Sequence, residues 1–340
     1  MASHHLDLEE LRFIIDTGCV EVNKERNDPH GMDADGYQPL RLSSAGGCAA
    51  ALALKATTKG NRDVDPIGSR IFELGHQRGE SLFRAIKLGL EGVVMSGEDS
   101  VTLKGEMPVR MRIGKGSDPV KLAVLAAHFP GMVGDVEFVR GPDGKATSAS
   151  NHLYAKGHPD VFAQSKDFDR VIEIKTMNPY VIKKVEEGSI GTVSESYQTQ
   201  LACYQQSLVE MGETTWERLM PGLFLLEDKA NCAHKLVEMP HDHAKMLVER
   251  AKARFASVVK YMADVLVDNG LADKLSTDHL REQAPDMKGK LPWMCNYCDV
   301  VERCWGARLK PSMGGKRIPD RFVTPEMPDG PIELQDGTVL

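Results

Sequence analysis

Several features that would place the chain in a particular class of protein are missing from its sequence. No apolar run is long enough to span a bilayer, and the polar, acidic residues 1–10 lack the hydrophobic stretch of a secretion signal. These absences predict a cytoplasmic protein without membrane segments. There is also no G-x-x-x-x-G-K-[S/T] phosphate-binding loop, so any ATP-driven motor must be on another chain.

An excess of positive charge is missing as well. The 340 residues include 42 Lys and Arg against 49 Asp and Glu, which gives a formal net charge of −7. This balance argues against a generally basic nucleic-acid-binding protein, because contacts with phosphate need Lys and Arg. A local basic groove remains compatible with it, and solvated surface charge is the alternative. The candidates fall in three segments: Lys104, Arg110, Arg112, Lys115 and Lys121; Lys183 and Lys184; and Arg303, Arg308, Lys310, Lys316, Arg317 and Arg321.

Cysteine is scarce, and the odd count of seven without a secretion signal argues against a disulfide framework. Three of the seven, Cys295, Cys298 and Cys304, nevertheless fall within ten residues. Tetrahedral zinc and iron–sulfur clusters both take four ligands, and residues 285–310 contain no histidine that could be the fourth. Cys48, at the start of a predicted helix, is the best candidate, although a lone cysteine there could also be core filling. Such a site would join the N-terminal region to the C-terminal one.

The stretch from Gly157 to Lys175 places charged residues in an otherwise apolar pattern. Glu173 and Lys175 alternate with apolar residues, and they share one face of a strand because strand side chains alternate. If the segments on either side of residues 165–168 form a hairpin, its register sets Asp160 directly opposite Glu173.

Two carboxylates that face each other across a strand pair repel unless a cation lies between them. Mg²⁺ and Mn²⁺ take oxygen ligands and are typically held by one or two carboxylates plus substrate phosphate. A lysine beside such a site can orient the attacking water and offset charge that builds on the phosphate. The stretch therefore predicts the metal centre of a nuclease. Asp160 distinguishes it from an ordinary exposed Glu–Lys face.

The rest of the chain predicts alternating helices and strands. A helix from Pro66 to about Leu90 carries His76 and Glu80 four residues apart, so they share a face. A second helix, at about 194–211, carries Gln200 and Tyr204 in the same relation. The other predicted elements are a helix at about 241–269, strands at 133–139, 222–227 and 233–239, and β-like pieces at 101–103 and 120–126.

In combination, these motifs resemble the iron–sulfur nucleases of the PD-(D/E)XK superfamily, the group that contains the CRISPR-associated Cas-four nucleases and the RecB and AddB nuclease domains. The resemblance covers roughly residues 42–305, in the order of the family. The matching residues are His76 for the helix histidine, Gly157-His158-Pro159-Asp160 for G-x-x-D, Glu173-Ile174-Lys175 for E-x-K, Gln200 and Tyr204 for Q-x-x-x-Y, and Cys48, Cys295, Cys298 and Cys304 for the cluster cysteines.

The resemblance implies an α/β fold with a restriction-endonuclease-like core. A mixed central sheet would be flanked by helices, and a 4Fe-4S cluster on the four cysteines would join the N- and C-terminal regions. The implied organisation is an N-terminal extension at 1–40, a nuclease domain at 41–306 with an insertion at about 91–130 and a cluster-binding segment at 293–305, and a tail at 307–340.

The resemblance also implies a metal-dependent deoxyribonuclease. Asp160, Glu173, the Ile174 carbonyl and His76 would bind one or two Mg²⁺ or Mn²⁺ ions, Lys175 would position the attacking water, and Gln200 with Tyr204 would orient the strand or the catalytic groups. The expected activity is exonucleolytic hydrolysis of single-stranded DNA or DNA ends in recombination, repair or phage DNA processing. The expected partners are DNA and a helicase, recombination or CRISPR protein.

Two other functions fit the same sequence. One is an endonuclease that trims DNA as a subunit of a recombination or CRISPR spacer-acquisition complex, with the long extensions as partner surfaces. The other is a DNA-binding module without catalysis, whose cysteines hold structural zinc. A binding module has no need for carboxylates that face phosphate, which argues against the second alternative.

Overall fold

A computed structural model describes most of the chain between residues 40 and 268. The described ranges are 40–57, 77–87, 101–129, 131–140, 146–186 and 188–268, with shorter pieces between 277 and 323. His76 and most of the expected N-terminal extension and C-terminal tail lie outside the described residues.

A five-stranded mixed sheet forms the centre of the fold. In spatial order its strands are β1 (Thr102–Gly105), β5 (Val161–Gln164), β6 (Asp169–Met177), β7 (Gly222–Asp228) and β8 (His234–Met239). Strands β6 and β7 are parallel, and the other neighbours are antiparallel. The expected α/β fold with a mixed central sheet and helices is therefore confirmed.

A second sheet has three antiparallel strands, in the order β2 (Val109–Gly116), β4 (Ala146–Gly157) and β3 (Val133–Arg140). A short ribbon of β9 (Leu309–Lys310) and β10 (Phe322–Val323) completes the described strands. Strand β4 ends at Gly157, directly before the turn that carries Asp160. The expected insertion at about 91–130 therefore contributes β1 to the central sheet and β2 to the second sheet.

The described helices pack around the two sheets. They are α1 (Ala49–Thr57), α2 (described over 77–87), α3 (Pro119–His128), α4 (Pro179–Ile182), α5 (Glu195–Glu210), α6 (His241–Val267) and α7 (Val301–Trp305). Helix α5 lies between the parallel strands β6 and β7 in the chain and contacts both, as well as β2 and α6. None of the described helices is long and apolar enough to cross a membrane.

The core lies between the sheets and helices α5 and α6. Leu201 of α5, Phe224 of β7, and Phe255 and Met262 of α6 are fully buried in one cluster. Burial of each such side chain stabilises the fold by roughly 1.5–3 kcal/mol. Helix α1 packs against α6, which brings the preceding residue Cys48 to the edge of this core.

One secondary-structure prediction is wrong. Residues 120–126 are predicted as β-like from their apolar, β-branched composition, but they belong to α3. Asp118 caps that helix, since its Oδ1 accepts hydrogen bonds from the backbone N–H groups of Val120 at 3.0 Å and Lys121 at 3.2 Å. Pro119 occupies its first turn. A capping aspartate followed by proline favours a helix start more strongly than composition favours a strand.

Candidate metal centre

Strands β5 and β6 form the hairpin that the sequence predicts, and residues 165–168 are its turn. Val161 lies opposite Ile172. The same register, continued by one residue, sets Asp160 opposite Glu173, so this prediction is confirmed. Turn length fixes the register of a hairpin, and a one-residue slip would move every side chain to the other face.

The backbone of β6 holds the Asp160 side chain in place. Asp160 Oδ2 accepts a hydrogen bond from the backbone N–H of Ile174 at 2.7 Å. The residue itself is half-buried. Because Ile174 directly follows Glu173, this bond keeps the two carboxylates near each other at the same point of the sheet.

Glu173 is the most unusual ionisable group of the site. It is 0% exposed, Oε1 accepts a hydrogen bond from Lys175 Nζ at 2.5 Å, and Oε2 is buried without a partner among the described residues. Burial, reinforced by the negative charge of Asp160, raises the pKa of Glu173 from 4.5 to about 8 against the opposing effect of Lys175. A further positive charge at Oε2 would favour the ionised carboxylate.

Lys175 stays protonated in this environment. Burial lowers the pKa of Lys175, but the negative charges of Glu173 and Asp160 outweigh burial, and the net shift is upward. Its Nζ also lies 5.4 Å from the centroid of the Tyr197 ring, within the range of a cation–π contact. Tyr197 is not among the site residues predicted from the sequence. Its position three residues before Gln200, on the same helix face, was the available signal.

Gln200 and Tyr204 bond to each other on the buried face of α5. Gln200 Nε2 donates to the Tyr204 hydroxyl at 3.0 Å. Burial raises the pKa of Tyr204 well above 10, and the next largest cause is the charge of Glu173, which places the hydroxyl within electrostatic reach of that carboxylate. The backbone of His158 also hydrogen-bonds the hydroxyl. Tyr204 is thus a neutral phenol that links α5 to the turn before Asp160.

The close approach of the Tyr204 ring to the chain before Asp160 requires a glycine at position 157. A Cβ atom at Gly157 would lie 2.7 Å from Cε1 of Tyr204 and 3.0 Å from Cβ of Leu42. Neither approach is compatible with an unshifted neighbour. The glycine of the G-H-P-D motif therefore lets Tyr204 pack directly against the chain that leads to Asp160.

The four predicted cluster cysteines lie in neighbouring parts of the fold: Cys295, Cys298 and Cys304 pack on one small apolar cluster, and Cys304 also packs, with Cys48, on the main core. Burial, reinforced by the negative charges of Cys298, Cys48 and Cys304, raises the pKa of Cys295 to about 11. Helix α7 contacts α1, which explains how Cys48 reaches the C-terminal trio across the chain. No disulfide joins these residues, and none is present among the described cysteines.

The expected metal ligands are only partly described. The structure describes Asp160, Glu173 and Ile174, but His76 lies outside the described residues. Within the described part of the chain, no three His, Cys, Asp or Glu side chains are placed so that they could hold a metal ion.

Comparisons with known proteins add little to this geometry. No family model and no curated protein matches the chain. The crystal structure of SSO0001 is similar over 86% of this chain and 96% of its own length, with 13% sequence identity and a TM-score of 0.39. A likeness at this level carries no conclusion about function.

Proposed function

We propose that the chain is a metal-dependent deoxyribonuclease with a PD-(D/E)XK core. The observation that carries this proposal is the Glu173 carboxylate, which is fully buried beside Asp160 with one oxygen bonded to Lys175 and the other without a described partner. A buried charged group is costly unless it is paired or coordinates a metal. A divalent cation beside these two acids would meet that need.

The donor atoms fit Mg²⁺ or Mn²⁺. Asp160 and Glu173 supply carboxylate oxygens, the Ile174 carbonyl supplies a neutral one, and His76 completes the expected set. Hard oxygen donors of this kind suit both ions. When bound, such an ion lowers the pKa of a coordinated water and offsets charge on the scissile phosphate.

Lys175 acts as a hydrogen-bond donor and a source of positive charge. Its raised pKa keeps the ammonium protonated at neutral pH, so it does not serve as the base. Glu173 and the Tyr197 ring fix the position of Nζ. From there the ammonium would orient the attacking water and stabilise the negative charge that develops on the phosphate.

Gln200 and Tyr204 are positioning residues in this proposal. Their mutual hydrogen bond fixes the phenol near Glu173 and against the turn at His158. They would therefore hold the acid-bearing turn and strand β6 at the spacing that the ion requires. A displacement of about 1 Å in such a constellation can cost roughly 100-fold in rate.

We further propose that Cys48, Cys295, Cys298 and Cys304 hold a 4Fe-4S cluster. Burial and the negative charges of the neighbouring thiols raise the pKa of Cys295, and an iron cluster bound to these residues would favour their thiolate forms. Iron and zinc analysis of anaerobically purified protein tests this part: zinc without iron would contradict it.

Digestion of end-labelled DNA tests the proposed activity. Anaerobically purified protein is incubated with single- and double-stranded substrates, with and without Mn²⁺, beside Lys175→Ala and the exposed control Lys229→Ala. We expect Mn²⁺-dependent shortening from the ends by the parent and by Lys229→Ala, and no digestion by Lys175→Ala. Equal digestion by Lys175→Ala would overturn the assignment.

A further inference from the structure

The second sheet leads directly into the proposed catalytic site. Strand β4 ends at Gly157, and only four residue steps separate Lys156 from Asp160. The Cα atoms of these two residues therefore lie within about 14 Å of each other, because a chain spans at most 3.6 Å per residue. A ligand bound at the exposed Lys156 is therefore in the same region of the fold as Asp160.

Three cations occupy this exposed end. Arg110 of β2 lies opposite Lys156 of β4, and Arg112 lies opposite Tyr154. Directly opposed residues of antiparallel strands share a face. The side chains of Arg110, Arg112 and Lys156 are exposed, whereas the alternating residues of β2, among them Met111, are buried. We call Arg110, Arg112 and Lys156 the basic strip.

A buried aromatic ring lies beneath the basic strip. The Arg110 guanidinium lies 4.6 Å from the centroid of the Tyr154 ring, which is itself buried. On the neighbouring strand, Gly134 provides the space for this ring, since a Cβ there would lie 2.5 Å from Cε2 of Tyr154. Gly131 likewise leaves room for Lys156, because a Cβ there would lie 2.3 Å from Nζ. Glycines on and just before β3 thus make room for the side chains of Tyr154 and Lys156.

Glu210, an acid that contacts the backbone of β2, is bonded to groups other than the side chains of the basic strip. Glu210 of α5 accepts a hydrogen bond from the backbone N–H of Arg112 at 2.5 Å through Oε2, and one from Lys252 Nζ at 3.0 Å through Oε1. Its charge is therefore balanced by Lys252 and by a backbone donor. The Arg112 guanidinium is not the group that this carboxylate binds.

We propose that the basic strip binds the phosphate backbone of a single DNA strand and leads it to Asp160. This inference rests on the proposed nuclease function. A chain with a net charge of −7 repels a polyanion over much of its surface, so a group of exposed cations only a few residues from Asp160 is where DNA is attracted. Because the Arg110 guanidinium covers the Tyr154 ring, this ring does not stack with a base. Binding therefore uses the phosphates and is independent of base sequence.

The salt dependence of DNA binding tests the basic strip. The affinity of a labelled oligothymidylate is measured by fluorescence anisotropy in buffer without divalent ions, over a range of salt concentrations. The strip variant carries Arg110→Gln, Arg112→Gln and Lys156→Gln. A matched control carries Lys166→Gln, Lys229→Gln and Lys245→Gln, three exposed lysines outside the strip.

We expect the strip variant to bind more weakly and with a smaller salt slope, while the control matches the parent. Each phosphate neutralised on a single strand contributes about 0.7 to the slope of log affinity against log salt, so three lost contacts lower it by about 2. The single variant Arg112→Gln, expected to lower the slope by about 0.7, guards against misfolding of the triple variant.

The outcomes separate this inference from the proposed function. If the strip variant keeps the affinity and slope of the parent, or if the parent binds no DNA, the strip does not bind DNA strands. If the parent binds with the strip-dependent slope but digests no DNA in Mn²⁺, the strip stands as a DNA-binding surface and the nuclease proposal fails.

Discussion

The backbone N–H of Ile174 donates a hydrogen bond to Asp160 Oδ2 at 2.7 Å. Ile174 directly follows Glu173, so the strand that carries the Glu173 carboxylate also fixes the Asp160 carboxylate. The distance between the two acids depends on the hairpin register and this bond, and does not require a metal ion. The pair is thus preorganised, which is the condition under which charged groups stabilise a transition state without reorganisation.

Glu173 makes the stability of the metal-free protein depend on pH. Its native pKa of about 8 lies above the ordinary value of 4.5, so the folded state holds a proton that the unfolded chain releases between these values. Its contribution to stability is therefore fully present below pH 4.5 and declines as pH rises to about 8, by a few kcal/mol in total.

Urea unfolding at several pH values checks this expectation. Glu173→Gln should flatten the decline, while Glu249→Gln, at an exposed position of α6, should keep it. A parent and a Glu173→Gln variant with the same pH dependence would contradict the raised pKa. Added Mn²⁺ should reduce the decline in the parent, since an ion bound to the ionised carboxylate competes with the proton.

Gly157→Ala should destabilise the fold and impair the site together. The added Cβ must displace either the Tyr204 ring or Leu42, and overpacking of this kind costs about 1–3 kcal/mol. Gly79→Ala is the matched control, because a Cβ at that helical position meets nothing within 4 Å, and helix propensity alone would stabilise by about 1 kcal/mol or less. Thermal unfolding and DNA digestion are measured on both. A Gly157→Ala protein as stable and active as the parent would show that the close packing is unnecessary.

Tyr204→Phe should cost about 1–3 kcal/mol of stability, because it leaves the buried Gln200 amide without its acceptor. In the double variant Gln200→Leu/Tyr204→Phe both polar groups are gone, so its cost should be smaller than the sum of the two single costs. Urea unfolding of the three variants measures this coupling. Strictly additive costs would mean that the pair does not act as a unit.

Cys48→Ala should remove the proposed cluster. The variant is expected to lose iron and visible absorption and to unfold at lower temperature, because metal binding contributes to folding free energy. Cys232→Ala changes an exposed thiol outside the four and should leave all three properties unchanged. Equal iron content in the parent and Cys48→Ala would exclude Cys48 as a ligand.

Local rules predict much of the candidate site from sequence. The register that faces Asp160 with Glu173 follows from the turn at 165–168, and the contact between Gln200 and Tyr204 follows from their spacing of four on a helix. Both relations involve few residues and strong periodicities. For that reason the packing of the rest of the fold does not change them.

Relations that depend on packing or on competing local signals could not be predicted in the same way. The pairing of β1 with β5 across more than fifty residues is set by the whole sheet, and the helix at 119–128 is decided by a cap at Asp118 that outweighs composition. The contact of Tyr197 with Lys175 requires the angle at which α5 crosses β6. Sequence periodicity contains no information on that angle.

The rate at which Asp160→Asn digests end-labelled single-stranded DNA in Mn²⁺ tests the central proposal most directly. Asparagine keeps an oxygen for the Ile174 N–H and removes only the charge, and Asp167→Asn at the exposed turn of the same hairpin is the control. If the two acids form the hydrolytic site, Asp160→Asn is slower than the parent by about 100-fold or more, and Asp167→Asn equals the parent. Digestion by Asp160→Asn at the parent's rate would contradict the proposal.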